Sequence, residues 1–461
     1  MNEEFSSYIK GKSVTLLGFG VSNAPLVEKF REWGASGICI RDRRPREDVV
    51  SRFPFLEKAE VSAVFGEDYL SGINTDIVLK TPGIRFDLPE LLEAKERGCE
   101  ISSETELFFR FCKAKKIAVS GSDGKSTTTT LINEILKASG VNTVLGGNIG
   151  TPLLHRIHEV GEGVTVVAEL SSFQLHTMSV SPDVAVITNI SPNHLDWHRD
   201  FDEYMDAKSS LLRYQNENGV AVLNLDCPNS KRYFTEVKGK LLCFSRRSEV
   251  ENGAYLSGDT VFFCENGKAR EMLKLDGIKL PGMHNVENYM AAICATAAFA
   301  NEEAVRKVAT NFGGVPHRLQ LVREKDGVRF YNSSIDSSPS RTNAALSSFP
   351  KTKRVIIICG GRDKHVPFDS LSKQLAEKTK AVVLTGEAAE KIFSDIASTE
   401  EYKNGLIRFE REPDFEKAVR LSASLAEKGD TVLLSPACTS FDRFRNFEER
   451  GEFFTNIVNS L

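Results

Sequence analysis

The sequence predicts an α/β protein of three domains, on three observations. Short β-branched runs alternate with longer amphipathic stretches almost from end to end, which is the pattern of parallel sheets covered by helices. Glycine-bearing turns follow several of those runs, as they do where a strand hands over to a helix in a doubly wound sheet. A chain of 461 residues has room for about three domains of roughly 150 residues each.

Taken in order, "SVTLLGFG" (13–20), "GICIRD" (37–42) and "DIVLKTPGI" (76–84) are strands of a Rossmann-like N-terminal domain, residues 1–110, which closes after the helix-like "TELFFRFCK". "KIAVSGSDGKS" (116–126), "VTVVAELSS" (164–172), "DVAVITNIS" (183–191) and "GVAVLNLD" (219–226) belong to a central parallel-sheet domain with a phosphate loop, residues 111–314. "DTVFFCENGKAREM" (259–272) adds a β-hairpin to it. "RVIIICGG" (354–361), "AVVLTGE" (381–387) and "DTVLLSPA" (430–437) form a C-terminal Rossmann-like domain, residues 315–461, and "NFGGVPHR" supplies the glycines and proline of its boundary.

Composition narrows the partners. A formal net charge of -4 without a basic stripe argues against nucleic acid. No apolar run approaches the ~18 residues of a membrane span, so no membrane insertion is expected. The opening "MNEEFSSYIKGK" lacks the charged-then-apolar pattern of a secretory leader. Nine cysteines, scattered and without a CxxC pair, read as reduced, buried thiols of a cytoplasmic protein.

The phosphate loop is the strongest local signal. "IAVSG" is an apolar strand, "SDGKSTTTT" is glycine-bearing and hydroxyl-rich, and "LINEILKASG" has helical periodicity. Gly121, Ser122, Asp123 and Gly124 would turn backbone N–H groups toward phosphate oxygens, Lys125 adds charge, and Ser126 and Thr127 bring hydroxyls, that of Ser126 within reach of a magnesium ion. Val119 stands where the longer GxxxxGK[ST] pattern has its first glycine, so the loop is the short GxxGKS form.

Other loops carry weaker signals. "GFGVSN" (18–23) with Asp42 about twenty residues beyond Gly20 outlines a dinucleotide fingerprint, but Asn23 stands where the third glycine belongs; a plain Rossmann-like turn and a nucleotide-sugar site both fit. Glu169 and His194 follow apolar strands whose carboxyl ends belong beside the phosphate loop, which makes them candidate ligands for hard divalent ions. Asn285 and Asn288 share one face of a helix's first turn, although capping alone could explain one of them. Lys208 reads as a solvated helix residue. "GGRDK" places Asp363 and Lys364 after a strand, where an exposed charged loop is equally consistent. Three α/β units with functional-looking loops suggest three bound species, and a ligase joining two substrates with ATP is the economical reading.

In this order, "GSDGKSTTT", "GGNIGTPL", "AELSSFQL", "TNISPNHLDWH", "YMDAKSSLL", "PGMHNVENYMAA", "PHRLQLV", "GGRDK" and "SPACTSFDRFRNFEERG" resemble the Mur ligases of peptidoglycan synthesis over nearly the whole chain. The "GFGVSN" opening and "SPACTSFDRFRNFEERG" ending are most similar to the D-glutamate-adding branch. The resemblance implies an ATP-dependent amide ligase that couples D-glutamate to UDP-MurNAc-L-Ala through an acyl phosphate and a tetrahedral intermediate. Its setting would be the cytoplasmic synthesis of cell-wall precursors, and through it cell shape and division. It implies two Mg2+ ions, with Mn2+ as a substitute, and a monomer.

Residue by residue, the resemblance makes Lys125 the phosphate-loop lysine and Ser126, Glu169, His194 and a carbamylated Lys208 the metal environment. ATP would be held with Asn285, Asn288 and Arg318. The UDP-sugar would meet Val21, Ser22, Asn23, Asp42, Arg43, Thr81 and Gly83, then Asn148, Ser171 and Gln174. D-Glutamate would meet Lys364, Ser337, Ser440, Phe441 and Phe447. A departure lies in "YNSSIDSSPSRTNAAL" (331–346), where Ile335 occupies the position of a family lysine, and Arg341 is the expected substitute. Another amino-acid-adding Mur ligase, a folylpolyglutamate-synthetase-like ligase and a non-enzymatic nucleotide switch are the rivals. The "GFGVSN" domain argues against the second, and Lys208 and Lys364 against the third.

Overall fold

The computed structural model describes residues 2–20, 22–149, 151–195, 197–280, 282–363 and 366–461. The chain divides into two compact units, Met1–Ile278 with Met283–Thr310, and Lys279–Gly282 with Asn311–Leu461. The first holds two sheets and the second holds one.

The first sheet runs β3-β2-β1-β4-β5 and is parallel throughout. Its strands are β1 (Ser13–Leu17), β2 (Gly37–Asp42), β3 (Ser62–Phe65), β4 (Ile77–Lys80) and β5 (Glu100–Ser102). Strand order reverses between β1 and β4, so a crevice opens at their carboxyl ends, where "GFG" and "TPG" lie.

The second sheet has nine strands, ordered β14-β13-β12-β11-β10-β9-β6-β8-β7. They are β6 (Lys115–Ser120), β7 (Asn142–Gly147), β8 (Val164–Glu169), β9 (Val184–Ile187), β10 (Val220–Asn224), β11 (Lys240–Ser245), β12 (Gly253–Ser257), β13 (Thr260–Glu265) and β14 (Lys268–Lys274). The predicted hairpin is β13 and β14, antiparallel around Asn266 and Gly267. The third sheet, β15-β16-β20-β17-β18-β19, is parallel except for its β15–β16 hairpin. Its strands are β15 (Gln320–Lys325), β16 (Val328–Asn332), β17 (Val355–Gly360), β18 (Thr379–Thr385), β19 (Phe409–Arg411) and β20 (Thr431–Leu434).

Central strands are apolar on both faces because helices cover both faces of a parallel sheet. Ile117, Ala118 and Val119 of β6 and Ile356 to Cys359 of β17 are fully buried, and each large aliphatic among them contributes about 1.5–3 kcal/mol relative to exposure. Every predicted strand is present, but most stop short of the predicted end because the glycine and hydroxyl residues that follow form loops. Several of the missed strands are edge or short elements, whereas β11, β12 and β16 lie inside their sheets. β3 is half exposed and β19 has three residues. The β15–β16 hairpin carried a readable signal, the Asp326-Gly327 turn between apolar runs. All nine cysteines are free, but Cys39, Cys227 and Cys243 are only partly buried, which corrects the expectation of uniformly buried thiols.

Candidate active site

β6 delivers the chain to Gly121, whose φ is 144°, and Gly124 takes φ 77° just before the helix Lys125–Ala138. Both glycines are required. A Cβ on Gly121 would strike Thr188 Oγ1, and one on Gly124 would strike Asn288 Oδ1. The segment after β9 fixes the loop from the other side. Ser122 N donates to the Asn189 carbonyl (2.8 Å), Asp123 N to Asn189 Oδ1 (3.0 Å), and Thr188 Oγ1 to the Asp123 carbonyl (2.6 Å). The loop therefore leads into the first-turn N–H groups of a fourteen-residue helix, with buried Ser126 among them, an arrangement suited to phosphate.

Two lysines meet there. Lys125 Nζ donates to the carbonyls of Gly121 (3.0 Å) and Ser122 (2.8 Å). Lys208, on the helix Phe201–Arg213, reaches in from the other side, and its Nζ donates to the Gly121 carbonyl (2.8 Å) and Ser120 Oγ (3.1 Å). Lys208 is 1% exposed, which corrects the solvated-helix reading. Burial, and then the charge of Lys125, push its ammonium well below the ordinary lysine range, toward the neutral amine.

Glu169 closes β8, paired in register with Val119 of β6, and is buried. Its Oε1 accepts from Asn148 Nδ2 (2.6 Å), and its Oε2 has no hydrogen-bond partner among the described residues. A buried carboxylate oxygen left without a donor beside the phosphate loop fits a divalent cation. His194 is exposed in the turn after β9, at φ 54°, a left-handed conformation that a non-glycine residue adopts at a cost. Its ring lies 4.9 Å from that of Phe173. Asn288 Nδ2 donates to Asn285 Oδ1 (3.0 Å) and its Oδ1 accepts from Thr128 Oγ1 (3.2 Å), so both asparagines stand beside the loop, inside the helix Met283–Thr296. Ser171 and Gln174 form a reciprocal capping box, and Gln174 Nε2 also donates to Thr105 Oγ1 (3.0 Å).

At the first sheet's crevice, Asn23 is buried and its Nδ2 donates to the carbonyl of Gly18 (2.9 Å), which explains the missing third glycine: the side chain ties the turn down. Asp42 accepts from Phe19 N (2.6 Å) and holds Arg44, not Arg43, in an ion pair of 2.9 Å. Arg43 is exposed and Ser22 half-buried. The hydrogen bonds from Arg44 and Phe19 hold the Asp42 carboxyl below its usual range against the opposing effect of burial. Thr81 packs on Gly18, and the Gly83 carbonyl accepts from Trp197 Nε1 (3.0 Å). Val21 lies outside the described residues, as does Lys364.

Sequence reasoning missed Arg85, His176, Trp197, His198 and Glu203. Glu203 accepts from Arg85 Nη2 (2.9 Å) and Arg199 Nε (2.8 Å), with His176 Nε2 at 3.3 Å and His198 Nδ1 at 3.6 Å. His176, His198 and Glu203 are the group of potential metal ligands found among the described residues. With Arg85 and Arg199 already on the carboxylate, the group is an ion-pair hub. The Arg85 hydrogen bond holds Glu203 far below the ordinary carboxylate range, and burial pushes His198 down to about 4. "HLDWHRDFDEY" contained Trp197, His198 and Glu203, but only the fold brings Arg85 and His176 to them.

In the second unit, Arg318 follows the Gly313-Gly314 turn, and Arg341 lies on the helix Pro339–Ser347, its Nη1 donating to the Ile335 carbonyl (3.1 Å). Ser337 is half-buried, Ser440 buried and Phe441 53% exposed, while the Phe447 ring stands 6.1 Å from His317. Asp336, also missed, accepts from Ser435 Oγ (2.8 Å), and burial raises its carboxyl to about 6.

Residues 119–296 match the Mur ligase middle domain and residues 317–438 the Mur ligase, glutamate ligase domain. The chain is 46% identical to the UDP-N-acetylmuramoylalanine–D-glutamate ligase of Acetivibrio thermocellus, over 99% of this chain and 98% of that one. Among solved structures it is similar to the UDP-N-acetylmuramate-alanine ligase MurC of Thermotoga maritima, with a TM-score of 0.57 and 17% identity over 97% of this chain and 99% of that chain. A MurF ligase from the same organism, in complex with ADP, gives a TM-score of 0.53 and 17% identity over 99% and 97%.

Proposed function

The chain belongs to the Mur ligase family, and we propose that it is the D-glutamate-adding member, joining D-glutamate to UDP-N-acetylmuramoyl-L-alanine with hydrolysis of ATP to ADP and phosphate. The observation that carries this reading is the 46% identity along the whole chain, first domain included, to a ligase of that name. A folylpolyglutamate-synthetase-like activity does not account for the nucleotide-sugar crevice at β1 and β4.

The chemistry suits the site. A carboxylate oxygen of the L-alanyl group attacks the γ-phosphorus of ATP and ADP departs, leaving an acyl phosphate. The deprotonated amine of D-glutamate then adds to the carbonyl carbon, and phosphate leaves as the amide forms. The protein's part is positioning and charge neutralisation. Gly121 to Thr127 cradle the phosphates, Lys125 offsets the charge that builds on the transferring group, and Asn148 orients Glu169. Ser126, Glu169, His194 and a carbamylated Lys208 would hold Mg2+, two ions in our reading, which supplies further neutralisation when bound. Asn285, Asn288 and Arg318 would serve the nucleotide. Ser22, Asn23, Asp42, Thr81 and Gly83 would serve the UDP-sugar. Ser337, Arg341, Lys364, Ser440, Phe441 and Phe447 would serve D-glutamate. We read the domains as 1–110 for the UDP-sugar, 111–314 for ATP and 315–461 for the amino acid, in a cytoplasmic monomer; among the described residues no helix is long and apolar enough to cross a membrane.

The test is a panel of free amino acids offered with UDP-MurNAc-L-Ala and ATP. Phosphate release should require both the UDP-sugar and D-glutamate. Release with L-lysine or diaminopimelate instead would assign a different addition step.

A further inference from the structure

Arg85 stands four residues beyond Thr81 and two beyond Gly83, in the segment proposed for the UDP-sugar. Its guanidinium leaves the first sheet's crevice and grips the second sheet's machinery. Nη2 and Nη1 donate to the two oxygens of Glu203 (2.9 and 3.1 Å), Nη1 also donates to the Trp197 carbonyl (3.0 Å), and the group lies 5.0 Å from the Trp197 ring centre. Trp197 returns the contact through its Nε1 to the Gly83 carbonyl (3.0 Å). Two backbone segments far apart in sequence are thus cross-tied by an indole and a charged cluster, in which Asp87 also accepts from Arg85 (2.7 Å) and Arg199 also donates to Glu203 (2.8 Å).

Glu203 lies on the same helix as Lys208, and the Lys208 amine rests on the Gly121 carbonyl of the phosphate loop. Trp197 and His198 lie just after His194, and His198 Nε2 is 2.9 Å from Ser172 Oγ, beside the Ser171–Gln174 cap. The Glu203 side chain is 9% exposed and that of Arg85 20%. A bidentate pair so shielded from solvent is geometrically exacting, unlike a surface ion pair. A rigid helix then carries any displacement of Glu203 to Lys208 and so to the loop.

We propose that Arg85 and Glu203 are positioning residues that couple the two nucleotide sites: occupancy of the Thr81–Gly83 segment by the UDP-sugar sets the position of Lys208 and the phosphate loop, so that the UDP-sugar and ATP bind with mutual positive cooperativity. The proposal rests on the function proposed above. The effect of the pair runs through the helix Phe201–Arg213, which carries both Glu203 and Lys208. A ligase gains from this coupling, because ATP held tightly without the acceptor carboxylate would be exposed to hydrolysis.

The test measures the dissociation constant of a non-hydrolysable ATP analogue with and without saturating UDP-MurNAc-L-Ala, in the wild type, Arg85→Met, Glu203→Gln, the double variant and Arg85→Lys. Saturating UDP-sugar should tighten the analogue in the wild type by about 5–150-fold, the usual span of coupling between sites. Either single variant should lose most of that factor while binding the analogue alone within about twofold of wild type, the double variant should be no worse than the singles, and Arg85→Lys should recover part of the coupling. The factor should read the same when UDP-MurNAc-L-Ala binding is titrated with and without the analogue. An uncoupled wild type, full coupling in the single variants, or loss of analogue affinity in step with a falling Tm would each overturn the proposal. A wild type that does not bind UDP-MurNAc-L-Ala at all would instead overturn the underlying function, a result visible before any variant is made.

Discussion

The Nζ of Lys208 lies 2.8 Å from the carbonyl oxygen of Gly121, the same oxygen that Lys125 Nζ approaches at 3.0 Å. Two ammonium groups sharing one carbonyl in a buried place repel each other, and Lys208, the more deeply buried, is the one pushed toward the neutral amine. A neutral amine is the form that attacks CO2. The new N–C bond and the lost proton turn that amine, near Glu169, into an anionic oxygen ligand suited to magnesium.

Lys208 should therefore carry a carbamate in the active enzyme. With 13C-labelled CO2, a carbamate resonance should be present in the wild type and absent in Lys208→Arg, and activity should fall when CO2 is stripped and return when it is restored. Full activity in CO2-free buffer with no such resonance would eliminate the carbamate.

Lys125→Ala should lower kcat on the order of 10²–10³-fold, as removal of a preorganised transition-state contact does. The fold should survive, because Lys125 is only half-buried and the buried aliphatic side chains of its helix, Leu131, Ile132, Ile135 and Leu136, begin six residues beyond it. Circular dichroism and Tm checked against the wild type separate lost chemistry from lost structure. A folded variant with near-normal turnover would remove the ligase reading at its root.

Arg341 and Lys364 are expected to share the side-chain carboxylate of D-glutamate, since Ile335 cannot neutralise it and an unpaired carboxylate is costly to bury. KM for D-glutamate should rise at least about tenfold in Arg341→Ala and in Lys364→Ala, the loss expected for one charge-assisted hydrogen bond. KM for ATP should stay within about twofold in Arg341→Ala. An unchanged KM for D-glutamate in Arg341→Ala would leave that residue as a helix-surface cation bonded to the Ile335 carbonyl.

Asp336 should make the second unit less stable as pH rises. Burial lifts its carboxyl from 3.8 to about 6, above the unfolded value, so the folded chain holds the proton more tightly. The contribution is fully present below pH 3.8 and is lost as pH rises through about 6. Asp336→Asn keeps an acceptor for Ser435 Oγ and has no titration, so its Tm should fall less than that of the wild type between pH 4 and 7. Parallel pH profiles for the two proteins would contradict this.

Much of the site was legible in the sequence because it sits where apolar strands end. The phosphate loop needed only the strand, the short GxxGKS spacing and the helical period after it, all local features. Glu169 could be placed beside it because parallel strands bring their carboxyl ends to one edge. Arg44, Asp336 and the Glu203 hub gave no such signal. Each derives its role from a partner elsewhere in the fold: Arg44 from Phe19 and Asp42, Asp336 from Ser435, and Glu203 from Arg85, 118 residues away.

The sequence by itself determined the alternation of strands and helices, the β-hairpin of the central sheet and the glycine positions of the phosphate loop, because these follow from periodicity and backbone sterics between near neighbours. Only the tertiary structure decided that Lys208 is buried rather than solvated, that Asp42 is held by Arg44, and that Arg85 bridges to Glu203. Burial and long-range pairing depend on which surfaces the sheets bring face to face, and no local pattern encodes that. The polarity of Lys208 suited an exposed helix face equally well; packing against Ser120 and Gly121 removed its water and changed its chemistry.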